Sequence, residues 1–199
     1  MKNKLLLIGL VTAVLLLVFL PATVFAAEYT VPAGDDIETW FNAPAVAGDT
    51  LLLEAGTYTL PERFEIDKDI TIKGAGQGKT TIVVGFNTGS SGDDRAAILV
   101  EAGNTLTISD LTMDGTGAYV FHPIRSHGTL DVDDVTIQNM SWNHKYLGWG
   151  IAMYAGNNTI DNVSMSNIQR VGIVAYNSGT NVTINNFTYK GKGWITALR

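Results

Sequence analysis

Residues 106–113 read "LTISDLTM", 130–137 "LDVDDVTI", 158–165 "NTIDNVSM" and 182–189 "VTINNFTY". Each segment sets an aliphatic residue first (Ile108, Val132, Ile160, Ile184), then two short polar residues, then a second apolar one (Leu111, Val135, Val163, Phe187). A third column follows two residues on, at Met113, Ile137, Met165 and Tyr189. From Asp110 to Asp134, Asn162 and Asn186 the steps are 134 − 110 = 24, 162 − 134 = 28 and 186 − 162 = 24. An imperfect but persistent period of this size is the mark of a solenoid.

The spacing inside each segment adds a bend. A strand has a side-chain period of two, so the first two apolar columns, three residues apart, cannot share one face of a straight strand. The chain must turn at Asp110, Asp134, Asn162 and Asn186, and Asp and Asn are the side chains that most readily take left-handed backbone angles. Stacked coils would place these four one above another. A third strand precedes each pair: "AAILV" from Ala96, "VFHPIRS" from Val120, "GIAMY" from Gly150 and "GIVAY" from Gly172. Three short strands per turn, each pairing in parallel with its equivalent in the next coil, would satisfy the backbone and bury the apolar columns in a narrow interior. The expectation is a single all-β domain over residues 27–199, a parallel β-helix with regular coils from about residue 95 to 199. Asp35 and Asp36 are N-cap candidates for a short helix over 35–43, with Ile37, Trp40 and Phe41 on one face to cover the open end of the core.

One stretch invites a different reading. "ITIKGAGQGKTTI", residues 70–82, has the glycines and the lysine of a nucleotide loop. A phosphate loop needs a glycine five positions before its Gly-Lys pair, and Lys73 stands there; the dinucleotide pattern meets Lys79 where a glycine is required. "TTIVVG" follows, a β-branched run that offers no helix N-terminus to a phosphate. The segment reads as a tight strand-to-strand connection with glycines at positive φ, and no nucleotide partner is expected.

The ends and the charge narrow the setting. Lys2 and Lys4, an apolar run from Leu5 to Leu20 and small residues at Val24 and Ala26 make residues 1–26 a secretory signal, with an uncleaved membrane anchor as the rival reading. Losing those two lysines leaves 11 basic against 19 acidic residues, or 11 − 19 = −8. Nucleic acid, which needs clustered Lys and Arg, is therefore not expected as a partner. With no cysteine there is no disulfide framework. The last stretch, "FTYKGKGWITALR", begins another coil without a polar cap, which suggests a longer β-helix.

"AGDTLLLEAGTYTL", "IDKDITIKGAGQGKTTI" and the "LTISDLTMDG" repeats together resemble the right-handed parallel β-helix family of pectate-lyase-like proteins. The resemblance spans nearly the whole chain after the signal. It implies a secreted or cell-surface protein whose partner is a polysaccharide laid along the outer face of one sheet, and that face carries the third-strand set. The same coils serve lyases, hydrolases and adhesins, so the resemblance leaves open a uronate lyase or glycoside hydrolase on one side and a non-catalytic surface module on the other.

The stretch from Tyr119 to Tyr154 concentrates the candidates. Arg125, His127 and Lys145 have the chemistry to neutralise a uronate carboxylate and remove the neighbouring proton. His122, Trp142, His144, Tyr146, Tyr154, Arg170 and Tyr176 are substrate-binding candidates, the aromatic rings for stacking on sugar faces. Packing of the loop onto the coils is the competing role for the tryptophans and for His122 and His127. A glycosidase would need two opposed carboxylates; Asp114 and Asp133 are available, whereas Asp134 belongs to the bend. No cofactor is expected, with calcium at Asp93 and Asp94 of "SSGDDRAA" as the alternative to a solvated turn.

Overall fold

A computed structural model describes residues 25–143 and 148–192. The expected leader thus falls almost wholly outside the described residues, as do His144, Lys145, Tyr146 and the closing segment 193–199.

Three runs of strands stack in parallel. In the first, β1 (Glu28–Val31) pairs with β2 (Thr50–Leu53), β2 with β5 (Ile70–Lys73), and β5 with the first half of β8 (Thr105–Asp114). The run continues through the first half of β10 (Thr129–Gln138) to β12 (Asn157–Asp161) and β15 (Asn181–Ile184). In the second run β3 (Gly56–Leu60), β6 (Thr80–Val84), the latter halves of β8 and β10, β13 (Ser164–Ile168) and β16 (Thr188–Gly191) follow one another. The third, a separate sheet, is β4 (Phe64–Ile66), β7 (Ala96–Val100), β9 (His122–Ser126), β11 (Ile151–Met153) and β14 (Ile173–Ala175). This is the all-β parallel β-helix that the repeat implies. Its stacking begins at Glu28, not near residue 95. The early coils escaped the pattern because their corner is made by Glu54 to Gly56 and by the 74–79 loop, and not by a single Asp or Asn.

The bend residues do what the three-residue spacing requires. Asp110, Asp134, Asn162 and Asn186 have φ of 57°, 51°, 49° and 45°. This lets Ile108 and Leu111, and likewise Val132 and Val135, enter the same core at 0–1 % exposure. The bend side chains tie neighbouring coils: Asn162 Nδ2 donates to Asp133 Oδ1 and Asn186 Nδ2 to Asp161 Oδ1, each at 3.2 Å. A second left-handed corner, absent from the sequence reading, lies at Asn139 (φ 60°) and Asn167 (φ 57°). Asn167 Nδ2 donates to Asn139 Oδ1 at 2.6 Å, and Asn139 Nδ2 to Asp114 Oδ1 at 2.9 Å.

One interior column breaks its own rule. Ile70, Leu106, Leu130, Asn158 and Val182 are register partners, so an amide sits where its neighbours are aliphatic. Asn158 is 2 % exposed. Its Oδ1 accepts from Leu130 N at 2.9 Å, and its Nδ2 donates to the carbonyls of Ala155, Gly156 and Asn181 at 2.9, 3.2 and 3.1 Å. Buried and fully paired, it satisfies backbone groups where the chain turns into β12.

A single helical turn and a half, α1 (Ile37–Asn42), starts at Asp36, whose carboxylate accepts from Glu38 N at 3.0 Å. Ile37 and Phe41 enter the core, Phe41 meeting Phe64 edge-on at 5.1 Å. Lys68 Nζ donates to the Phe41 and Ala45 carbonyls at 2.6 and 2.9 Å, so the helix end keeps its acceptors satisfied. Trp40, expected on the same face, is only partly buried, because its Nε1 turns to Asp35 at 3.1 Å.

The glycine loop is a clasp between coils. Gly76 and Gly78 have φ of 132° and 74°, and Gly74 has no room for a side chain, since a Cβ would lie 2.3 Å from the Asp110 carbonyl. Gly76 N donates to Asp110 O at 2.8 Å and Gly78 N to Thr112 Oγ1 at 3.2 Å, one coil on. Gln77 reaches further: its Oε1 accepts from Thr136 Oγ1 at 2.9 Å and its Nε2 meets Asn162 O at 3.5 Å, two and three coils away.

Close stacking also fixes Gly128, between β9 and β10. A Cβ there would stand 2.1 Å from Asn104 O, a carbonyl held by Thr129 N at 2.9 Å, and 2.7 Å from Glu101 O. Gly128→Ala is therefore expected to lower stability by about 2 kcal/mol. Denaturant unfolding checks this; a midpoint equal to wild type would show that the coils can part there at no cost.

Candidate functional site

The third sheet sends alternate side chains outward. Ile98 and Ile124 are register partners inside, while Leu99, Arg125, Ala152 and Val174 form the next column on the outer side. Just past these strands come His127, Tyr154 and Tyr176, which follow the mutual partners Ser126, Met153 and Ala175. Successive coils are about 4.8 Å apart, so the three rings stand above one another. Ring centroids lie 5.1 Å apart for His127 and Tyr154, tilted by 34°, and 4.5 Å apart for Tyr154 and Tyr176, tilted by 9°. Trp149 extends the row, 6.3 Å from Tyr176 at 13°, with the Arg170 guanidinium 5.2 Å from the Trp149 ring.

That stacking consumes the ring faces. Arg125 of the coil below lies 4.0 Å from the Tyr154 centroid, and Tyr176 of the coil above covers the other side. The expected stacking of Tyr154 on a sugar face is thus corrected: both faces are occupied, and the ring presents its edge and hydroxyl. Ring edges carry the positive end of the aromatic quadrupole, so the row with its guanidinium neighbours is suited to oxygen-rich, anionic groups.

A loop residue organises the polar end. Asp93, in the 3₁₀ turn Gly92–Arg95, accepts on one oxygen, Oδ1, from Arg125 Nε and from His127 Nε2, each at 2.8 Å. Burial works to raise the Asp93 carboxyl, but the hydrogen bonds and charges of His127 and Arg125 outweigh it and hold it below the usual carboxylate range. Because Asp93 only accepts, His127 Nε2 carries a proton in either charge state, and in the neutral ring Nδ1 keeps a lone pair. Arg125 is 7 % exposed, and its Nη1 donates to Tyr154 Oη at 2.5 Å. Asp94 takes a different partner, Arg63, at 2.7 Å, and Arg63 also binds Glu65. Asp93 and Asp94, for which calcium was the alternative to a solvated turn, are turned to separate cations, and among the described residues no group of three or more His, Cys, Asp or Glu could hold a metal ion.

His122 is corrected as a substrate contact: it is wholly buried. Nδ1 lies 3.3 Å from the Gly150 carbonyl, to which it donates, and Nε2 has no hydrogen-bond partner among the described residues. Phe121 at 4.8 Å and Trp149 at 5.3 Å pack on the ring. Burial, with the charges of Arg125 and Arg95 adding to it, pushes the imidazole down to about 3. Trp142 likewise packs onto Phe121 at 5.7 Å and Tyr119 at 6.4 Å. Of the ten residues singled out, the structure brings Arg125, His127, Tyr154 and Tyr176 together and joins Arg170 to them through Trp149. Asp93 is the member that the sequence left as a solvated turn residue or a calcium ligand; it lies 34 residues from His127, and no repeat column contains it.

No protein-family profile matches the chain, and no curated protein does. The fold defines a parallel β-helix protein, and solved structures share it. One is a point mutant of AlyGC, a PL6 family alginate lyase, with a TM-score of 0.57 and 19 % identity over 87 % of this chain. Another is AlyGC itself, with a TM-score of 0.52 and 20 % identity over 87 % of this chain. The present chain spans 31 % of the length of each.

Proposed function

We propose that the outer face of the third sheet binds an acidic polysaccharide and cleaves it by β-elimination. The observation that carries this reading is the cluster of Arg125, His127 and Tyr154 gathered by Asp93 on an outward face, with guanidinium, imidazole and phenol within one sugar's reach. The alginate lyases that share the fold give the reading its substrate class by analogy. Arg125 and Arg170 would meet uronate carboxylates, and His127 Nδ1 would take the proton on the carbon beside the carboxylate. Elimination is favoured over hydrolysis because a glycosidase needs two carboxylates across the groove, and here Asp93 is the carboxylate bound within the cluster, committed to Arg125 and His127. Lys145, His144 and Tyr146 stay as sequence-based candidates for the same groove, and export to the cell surface or medium belongs to the same proposal.

The test is direct: incubate the protein with polygalacturonate and with alginate, and follow ultraviolet absorbance of unsaturated ends. Absence of product from both would end the elimination reading. A second reading, an adhesion module that binds without cutting, has its own support, since Asp93 already offsets the charge of Arg125. Both readings predict that Arg125→Ala weakens binding of an acidic oligosaccharide about tenfold or more. Neutral oligosaccharides should be little affected, and added salt should narrow the difference. Calorimetric titration gives both numbers; equal losses for acidic and neutral ligands would remove Arg125 as the carboxylate contact.

A further inference from the structure

The geometry points to Tyr154 as the group that protonates the leaving oxygen, with Arg125 as the donor that receives the charge left on its own oxygen. The inference rests on the elimination reading above and adds a residue whose role there was only to bind. Three observations carry it. Arg125 Nη1 donates to Tyr154 Oη at 2.5 Å, closer than the 2.8 Å at which Asp93 holds Arg125 and His127. The Tyr176 ring, stacked on Tyr154 with centroids 4.5 Å apart and planes 9° apart, holds the phenol in place from the other side. Arg125 cannot swing away, because Asp93 holds its Nε and its guanidinium lies against the Tyr154 ring. A fixed guanidinium aimed at the phenol oxygen makes a site where negative charge develops with little reorganisation.

The step balances without any further reactant. His127 Nδ1 takes the proton from the carbon beside the uronate carboxylate. The electron pair of that C–H bond forms the C=C bond as the neighbouring C–O bond breaks. The departing glycosidic oxygen takes the proton of Tyr154, leaving a phenolate held by Arg125. The imidazolium, still held by Asp93, returns its proton to the phenolate through solvent, and both groups are restored. The products are one unsaturated end and one new reducing end, with no oxidant or reductant.

Tyr154→Phe keeps the ring, its stacking on Tyr176 and its place over Arg125, and removes only the hydroxyl. Product formation on polygalacturonate or alginate is expected to fall at least about 100-fold, with oligosaccharide affinity within about threefold of wild type. If Tyr154→Phe forms product at the wild-type rate, Tyr154 is not the acid, while the elimination reading stands. If its rate and affinity fall together, Tyr154 is a binding residue and the proposal is overturned. If the wild type itself yields no unsaturated product, the elimination reading and this proposal both fall.

Discussion

Acidification from about pH 6.5 to about pH 3 is expected to cost the folded chain about 4 kcal/mol through His122 alone. The unfolded imidazole takes a proton near pH 6.5, whereas the buried one resists until about pH 3. Between these values the unfolded chain binds one more proton than the folded chain, so stability falls as pH falls, by about 1.4 kcal/mol per pH unit. The physical cause is burial first: Nδ1 serves the Gly150 carbonyl, Nε2 has no partner among the described residues to take up a second N–H, and Arg125 and Arg95 oppose a further positive charge. Carboxylates add their own acid sensitivity, and Asp93, held low by His127 and Arg125, loses its contribution only below the usual carboxylate range. The comparison with His122→Phe isolates the histidine. Unfolding free energies measured across this window should show a shallower pH slope in the variant, by about one proton. Parallel slopes for the two proteins would mean that His122 is already charged, or hydrated, in the folded state.

Replacing Asn158 should be nearly as costly. Asn158→Ala is expected to lower stability by about 3 kcal/mol, because it leaves the Leu130 amide and the carbonyls served by Nδ2 without their buried partner. Asn158→Leu fills the space and matches the rest of the column, yet leaves the same groups unpaired, so it should recover only a part of the loss. Asn158→Asp gives the sharpest check. Its carboxylate can accept from Leu130 N but meets three carbonyls with no hydrogen to offer, so its folded-state pKa must rise. That variant should gain stability as pH falls through the carboxylate range, opposite in sign to the His122 effect. Urea unfolding of the three variants decides the matter. A leucine variant as stable as wild type would mean that these backbone groups find other partners.

The fold was readable because its signal lies in spacing. A three-residue gap between apolar columns has one economical solution, a left-handed corner, and the residues at that corner are the types that accept it. The corner at Asn139 and Asn167 was missed for a related reason: it falls after the third apolar column, where an Asn looks like the start of a loop. Asn158 misled in the opposite direction, since an amide opening the segment "NTIDNVSM" gives no hint that it occupies the Leu130 column. The site was half legible. Tyr154 and Tyr176 stand at the same offset after "GIAM" and "GIVA", so their alignment could be read, but whether rings lie flat on the surface or stack on one another depends on side-chain torsions that no pattern encodes. Asp93 could not be assigned, because its partnership with Arg125 and His127 joins a loop to the following coil.

Gln77 has a consequence for how such a stack comes apart. A solenoid in which each coil touches only its neighbours behaves as a one-dimensional chain of units and frays from its ends. By bonding Thr136 and Asn162 from a loop two and three coils earlier, Gln77 adds longer-range coupling to that chain. Coils that would otherwise melt in sequence become members of one cooperative block. Amide exchange across β5, β8, β10 and β12 should then proceed with a common opening free energy in the wild type, and separate into a graded series in Gln77→Ala.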